Sequence, residues 1–331
     1  MTVPQQAIIL AAGEGRRLRP YTETLPKPLM PFLNLPLLRH TLRLAARSGV
    51  SRVWINAWHH AQKIVDFVGS SPEPGLEINV VVEDKLLGTG GGLANIWPQM
   101  ERSATLLLLP DIVADFDIAA LYEHHQTQQA CATMALTAKA SPAHYGAVHT
   151  DHEGRITDIA GLRAKPTNPD HPGFVNASAH ILEPEFLDRL PVEPSCFVRQ
   201  GYVPALDDGL HCRGWVHKGA WHDTGSPAAL LAAQHAAISG ALPTDDALLA
   251  LGGRRFGASG YVHPSAELAD DVQLIEGTTV AQNCVIGAGV QLSGCLVMPD
   301  THVPPLTRAQ DQILGGPHRT SDIEAHSRAC T

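Results

Sequence analysis

Ala7-Ile8-Ile9-Leu10-Ala11-Ala12-Gly13-Glu14-Gly15-Arg16-Arg17-Leu18-Arg19-Pro20 is the stretch that decides the fold of this chain. Its apolar opening reads as a short strand buried on both faces, the habit of parallel sheets. The glycines and alanines that follow let backbone N–H groups come close to a phosphate, and the arginines make the turn cationic. A dinucleotide fingerprint would need glycine at position 18, which is leucine, and a Walker loop would need Gly-Lys-Ser/Thr, which is absent. The turn is glycine-rich and basic but matches neither common nucleotide signature.

Outward from this turn, strand and helix signals alternate to about residue 240. Apolar spacing predicts a helix over 35–47, a strand at 53–55, a helix over 61–68 and a strand over 78–82. A helix over 93–100, a strand over 105–109, a helix over 118–129 and strands over 131–136 and 175–182 follow. Such β-α-β order predicts an α/β fold: a Rossmann-like, mostly parallel sheet with helices on both faces and ligands beyond the carboxyl ends of the strands. From residue 262 the period changes. Val262, Leu268, Leu274, Val280, Ile286, Leu292 and Met298 recur every six residues, and four places after each comes Ala266, Val272, Thr278, Cys284, Val290, Leu296 and His302. Period six predicts a short C-terminal left-handed hexapeptide-repeat β-helix of a little over two coils. The expected organisation is a domain over 1–240, a linker over 241–258, the β-helix over 259–305 and a tail over 306–331.

Composition narrows the function. The chain has 331 residues, 44% hydrophobic and 17% charged, with 24 Lys plus Arg against 33 Asp plus Glu, a formal net charge of −9. That balance excludes general nucleic-acid binding, which requires a basic surface. The apolar runs are far shorter than the roughly 20 residues that span a bilayer, so no membrane partner is expected. No basic region precedes the first apolar run, so no signal peptide is expected either, and a cytoplasmic location follows. The cysteines are scattered without a C-x-x-C pair, which fits a reducing compartment rather than a zinc or disulfide framework. His59-His60 and His124-His125 read as solvated helix surface.

Further elements carry chemistry. Pro26-Lys27-Pro28 holds a lysine between two prolines, stiff enough to serve as a phosphate clamp. Together with the opening turn it resembles the signature of the sugar-1-phosphate nucleotidyltransferases, the NDP-sugar pyrophosphorylases, whose Leu-Ala-(Gly/Ala)-Gly-x-Gly-x-Arg-Leu-x-Pro pattern matches with Arg17 as its arginine. Arg16 stands where that pattern usually has threonine. Glu83 and Gly88-Thr89-Gly90-Gly91-Gly92 are similar to the segment that touches the nucleotide. Leu109-Pro110-Asp111 stands where the family has Asn-Gly-Asp. Trp221-His222-Asp223-Thr224-Gly225 is similar to the closing Trp-x-Asp-x-Gly motif, and Ala164-Lys165-Pro166 resembles Glu-Lys-Pro without its glutamate.

The resemblance implies transfer of a nucleotidyl group from an NTP to a sugar 1-phosphate, with Mg²⁺ as cofactor. It assigns catalysis to Arg17, Lys27 and Asp111, and nucleotide binding to Leu10, Ala11, Ala12, Gly13, Gly15, Glu83, Gly88, Thr89 and Gly90. The sugar phosphate falls to Lys165 and Asn176, and the metal to Asp111 and Asp223. A phosphate oxygen is the nucleophile, so no Ser or Cys nucleophile is expected, and positioning with charge neutralisation carries the catalysis. Base and sugar stay open: the Gly88–Leu93 segment is similar to branches that use mannose, heptose or N-acetylmuramate phosphates, and the β-helix leans towards mannose and guanine. A UDP- or dTDP-sugar-forming enzyme and a non-catalytic regulatory subunit of the same architecture are the alternatives. An acyltransferase would need a longer prism and a base such as His263 or His302. The open end of the prism invites self-association into a homo-oligomer.

Overall fold

The computed structural model describes residues 3–163 and 173–316, which form two compact units, each discontinuous in sequence. The first unit takes the chain up to Gly13, Thr41–Ile112 and Phe116–Trp221; the second takes Glu14–His40, Val113–Asp115 and the chain from His222 onward.

Seven strands make the sheet of the first unit: β1 (Gln6–Leu10), β2 (Arg52–Ala57), β3 (Glu77–Val82), β4 (Thr105–Leu108), β5 (Ala132–Thr137), β6 (Val175–Leu182) and β7 (Cys212–His217). Their order is β7-β5-β6-β4-β1-β2-β3. All neighbours are parallel except β6, which runs antiparallel to both β4 and β5. The central strands are the apolar runs of the sequence: Ala7, Ile8, Ile9, Leu106 and Leu107 have no exposed surface. β7 carries no such run, because Arg213 and Gly214 interrupt it, and its strand character is not visible in the spacing.

The helices α1 (Ala61–Ser70), α2 (Gly88–Ile96) and α3 (Ile118–Thr127) belong to this unit. Asp117 caps α3 by accepting from the Ala120 N–H at 2.9 Å, a device worth about 1 kcal/mol. The core gathers Ile8, Leu93, Ile96, Leu107, Met134, Phe186 and Tyr202. Against expectation, His125 is core rather than surface. It is 2% exposed, and its ring nitrogens bridge the Thr133 hydroxyl at 2.8 Å and the Glu183 carboxylate at 3.0 Å. The partners that remove the desolvation penalty lie on other elements, beyond the reach of local pattern.

In the second unit, α4 (Pro227–Ile238) and α5 (Asp246–Gly252) precede a coil of short parallel strands. α5 falls within the stretch read as a linker. The strands β8 (Gly260–Val262), β9 (Glu267–Leu268), β10 (Gln273–Ile275), β11 (Thr279–Val280), β12 (Val285–Ile286), β13 (Gln291–Ser293), β14 (Leu296–Val297), β15 (His302–Val303), β16 (Arg308–Gln310) and β17 (Ile313–Leu314) stack into three ladders. Val262, Val272, Leu274, Val280, Cys284, Ile286, Val290, Leu292, Cys295, Val297 and Val303, on these strands and at the turns between them, form the core of a β-helix.

The register departs from the six-residue period in two places. Val262 pairs with Val280, Leu268 with Ile286 and Leu274 with Leu292, each eighteen residues on. Val280 then pairs with Val297, Ile286 with Val303 and Leu292 with Ala309, each seventeen on. One residue is missing at the turn around Gly294, whose φ is +60°, and a second at the turn around Asp311, whose φ is +51°, since Val297 again pairs seventeen on, with Leu314, five rather than six places after Ala309. Val297, not Met298, is therefore the inward rung, and Cys295 and Thr301, not Leu296 and His302, follow the inner line. Met298 is 4% exposed, so hydrophobicity alone gave no sign of the slip. In the corrected register the coil continues through β16 and β17 to a little over three coils, where a tail was expected from 306.

Candidate functional site

In the first unit the nucleotide-binding candidates lie at and beyond the carboxyl ends of β1 and β3. Beyond β1, Ala11 and Ala12 are 2% and 4% exposed, whereas Gly13 is exposed and a Cβ there would meet nothing within 4 Å. The turn thus presents bare backbone at Gly13 and seals itself at the alanines. The Ala11 N–H donates to Asn56 Oδ1 at 2.7 Å, and Asn56 Nδ2 donates to Glu83 Oε1 at 2.7 Å. Glu83 Oε2 accepts the Leu87 N–H at 3.0 Å. Three segments distant in sequence are tied by two buried side chains, Asn56 at 2% and Glu83 at 4% exposure. Asn56 was missed at the sequence level; its only signal is a polar residue ending the apolar run of β2.

Gly88–Gly92, which precedes the helix expected over 93–100, opens α2. Its glycines answer a packing demand. A Cβ at Gly90 would lie 2.6 Å from Ser195 Oγ, one at Gly91 2.3 Å from the Glu193 carbonyl oxygen, and one at Gly92 2.6 Å from Asn56 Nδ2. The 193–197 segment closes over this turn: Ser195 N–H donates to Leu87 O at 2.9 Å, Gly90 N–H to Ser195 O at 2.9 Å, and Phe197 N–H to Thr89 Oγ1 at 3.1 Å. Glu83, Thr89 and Gly90 therefore have these polar groups engaged inside the protein, and Ser195–Phe197 joins the wall without any sequence signal.

Asp111 lies just past β4, in a turn where the Ile112 N–H reaches Leu109 O at 3.4 Å. Pro110 stands at the second turn position, which its fixed φ suits. The Leu-Pro departure thus supplies a defined turn. Asn176, in β6, sits where the register with β5 shifts, and its Oδ1 accepts the Ser178 N–H at 2.8 Å. Bulges of this kind re-aim side chains. Lys165 lies outside the described residues.

In the second unit, Gly15 takes φ +65°, and a Cβ there would lie 2.9 Å from Thr22 Cγ2 and 3.0 Å from Lys27 Cβ. Thr22 Oγ1 donates to Gly15 O at 2.9 Å. Gly15 is thus required by the conformation and by the close approach of the Pro26-Lys27-Pro28 element, so the glycine turn and the lysine are joined. The Arg17 guanidinium lies over Gly225, where a Cβ would be 2.3 Å from Nη2. Arg17 Nη1 stands 3.4 Å from Asp223 Oδ2. Asp223 is 8% exposed and its Oδ1 accepts the Gly225 N–H at 2.7 Å. The structure therefore brings Arg17, Asp223 and Gly225 together, and separately Gly15 and Lys27. Tyr21, from the same loop, donates its hydroxyl to Ile313 O at 2.9 Å in the last coil of the β-helix.

Asp111 and Asp223 supply hard carboxylate oxygens, the donor class Mg²⁺ prefers. Among the described residues no three His, Cys, Asp or Glu side chains form a cluster.

A Rossmann-like sheet with a bare glycine turn and an arginine set beside a buried carboxylate defines a nucleotide-handling α/β protein. Residues 6–240 match the family described as nucleotidyl transferase, and the chain belongs to that family. It is 30% identical over 90% of its length to the mannose-1-phosphate guanylyltransferase of Mycobacterium tuberculosis, covering 80% of that protein. A probable mannose-1-phosphate guanylyltransferase 1 of Oryza sativa subsp. japonica is 27% identical over 94% of this chain and 86% of its own. The crystal structure of HddC from Yersinia pseudotuberculosis complexed with GMP-PN shares the fold, with a TM-score of 0.59 at 22% identity over 70% of this chain and 98% of that one.

Proposed function

We propose that the chain transfers a nucleotidyl group from an NTP to a sugar 1-phosphate, releasing pyrophosphate and forming an NDP-sugar. The observation that carries this reading is the setting of Arg17 against Asp223 in the second unit, in a chain that matches the nucleotidyl transferase family over residues 6–240. An oxygen of the sugar phosphate attacks the α-phosphorus while the bond to the pyrophosphate oxygen breaks, and the electron pair leaves with pyrophosphate. The attacker is already anionic at neutral pH, so no general base is required. Arg17 and Lys27 neutralise the charge that builds on the leaving group, and Lys165 and Asn176 orient the sugar phosphate. Asp111 and Asp223 would hold Mg²⁺, which when bound screens the phosphate charges. The bare backbone at Gly13 gives the nucleotide phosphates room to approach. Relatives named as mannose-1-phosphate guanylyltransferases favour GTP and mannose 1-phosphate. UDP- or dTDP-sugar formation is the second reading.

The test is pyrophosphate release by the full-length protein across the ribonucleotides, dTTP and a panel of sugar 1-phosphates, with and without Mg²⁺. Release is expected only with all three components present, and Asp223→Asn, which keeps the acceptor for Gly225, should raise the Mg²⁺ concentration needed. Absence of turnover with every pair would favour the regulatory-subunit alternative and refute the catalytic reading.

A further inference from the structure

Within the first unit, one amide holds two turns in place. Asn56 ends the apolar run of β2 with its side chain between the turn after β1 and the turn that opens α2. Its Oδ1 accepts from Ala11 N–H at 2.7 Å, and its Nδ2 donates to Glu83 Oε1 at 2.7 Å. Glu83 in turn fixes Leu87 through its N–H at 3.0 Å, one residue before α2 begins. Gly92 completes the arrangement, because a Cβ there would press on both Asn56 Nδ2 at 2.6 Å and Glu83 Oε1 at 3.1 Å. Only a side chain that accepts at one end and donates at the other satisfies both neighbours, since Ala11 offers a donor and the Glu83 carboxylate offers acceptors.

The geometry points to Asn56 as a positioning residue for nucleotide binding: it sets the Leu10–Gly13 turn against the Leu87–Gly92 turn, and the nucleotide reads their separation. This rests on the proposed function, which places the NTP at those two turns. Both ends of the Asn56 amide are engaged by protein groups, so it acts through Ala11 and Glu83.

The chemistry of the triad supplies a test that a merely structural residue would not pass. Asn56→Asp keeps the acceptor for Ala11 but turns the donor to Glu83 into a second carboxylate. Two carboxylates at such a distance share one proton, and that proton is held to higher pH than either group would hold it alone. The variant should therefore bind NTP on the order of 10- to 100-fold more weakly at pH 8, the range of a lost hydrogen bond to a charged group. The defect should shrink as pH falls and the shared proton returns. Glu83→Gln has one carbonyl oxygen for two donors and should also weaken binding. The double variant Asn56→Asp/Glu83→Gln restores the full set with its polarity reversed. The carboxylate then at position 56 accepts from both the Ala11 N–H and the amide NH₂ at position 83, whose carbonyl oxygen still accepts from the Leu87 N–H.

The experiment is a nucleotide titration by calorimetry at pH 6 and pH 8 on the full chain, using GTP and UTP, with thermal unfolding of each variant measured alongside. The expected result is weak binding in both single variants, relief at pH 6 only in Asn56→Asp, and recovery to within about threefold of wild type in the double variant, a non-additivity that only directly coupled residues show. Wild-type binding with Asn56→Asp unchanged at both pH values overturns the inference alone. A double variant no better than the worse single one, although folded, overturns it as well. Wild-type protein that binds neither nucleotide overturns the functional reading and this inference with it.

Discussion

Substituting Gly91 with alanine sets two effects of opposite sign against each other. Gly91 lies inside α2, where alanine is favoured over glycine by roughly 0.5–1 kcal/mol. Against that, the new Cβ would stand 2.3 Å from the Glu193 carbonyl oxygen and 3.0 Å from both the Glu193 carbonyl carbon and Leu87 Cβ. The first obstacle is backbone, and it is tethered two residues on by the pair of hydrogen bonds that Ser195 makes with Leu87 and Gly90, each 2.9 Å. Relief requires the 193–197 segment to lift, stretching those bonds. Overpacking of this kind costs about 1–3 kcal/mol, and a weakened hydrogen bond adds about 1 kcal/mol. The collision outweighs the propensity gain, so Gly91→Ala should lose about 1–3 kcal/mol, the difference of these terms. The loss appears as a fall in the thermal midpoint of about 2–4 °C per kcal/mol. Gly69→Ala is the control: it lies in α1, a Cβ there meets nothing within 4 Å, and the midpoint should hold or rise. A Gly91→Ala protein as stable as the Gly69→Ala protein would refute the packing account of the glycine run and return those glycines to a purely ligand-binding role.

Other outcomes follow from the same geometry. Arg17→Lys should leave stability within about 0.5 kcal/mol, because the Arg17 side chain is 58% exposed at a 3.4 Å pair, yet lower kcat by about 10²–10³ in a steady-state pyrophosphate assay. Val303→Ala should cost about 1–3 kcal/mol in urea unfolding while His302→Ala costs almost nothing, which checks the seventeen-residue register; the reverse order would restore the strict six-residue period. His180 is fully buried, and burial pushes it from 6.5 down to about 3, so the unfolded chain binds its proton first. Its contribution is complete above pH 6.5 and fades as pH falls towards 3, by up to about 1.4 kcal/mol per pH unit. Denaturant midpoints between pH 7 and pH 4 should fall less steeply in His180→Gln, compared with its own value at pH 7.

Much of this molecule was legible because burial on both faces leaves an apolar run for each central strand, as at Ala7–Leu10 and Thr105–Leu108. The β-helix was legible for a similar reason, since every rung must point an aliphatic residue inward. Its slip at Gly294 escaped because Met298 and Val297 are both buried, and only pairing distinguishes them. The glycine run of α2 was visible as glycine, but its cause lay in the 193–197 segment about a hundred residues away, which no local pattern links to it. Asn56 shows the same limit from the polar side: Glu83 could be singled out by resemblance, but Asn56 looks ordinary until the two are placed together. Arg17 and Lys27 could be singled out early because the turn that holds them is dense with residues of special conformation.

Tyr21 hangs from the Ile313 carbonyl, Asn34 Nδ2 reaches the Gly252 carbonyl at 3.1 Å, and the loop carrying Arg17 and Lys27 is grouped with the β-helix rather than with the sheet. The border drawn by ancestry at residue 240 is thus not a seam along which the protein can be cut. A fragment trimmed there would keep every signature residue and lose the hydrogen-bond partners of Tyr21 and Asn34, in the segment that carries Arg17 and Lys27. A change in the last coil that shifts the Ile313 carbonyl acts on Tyr21, which lies between the arginine and the lysine in one short loop.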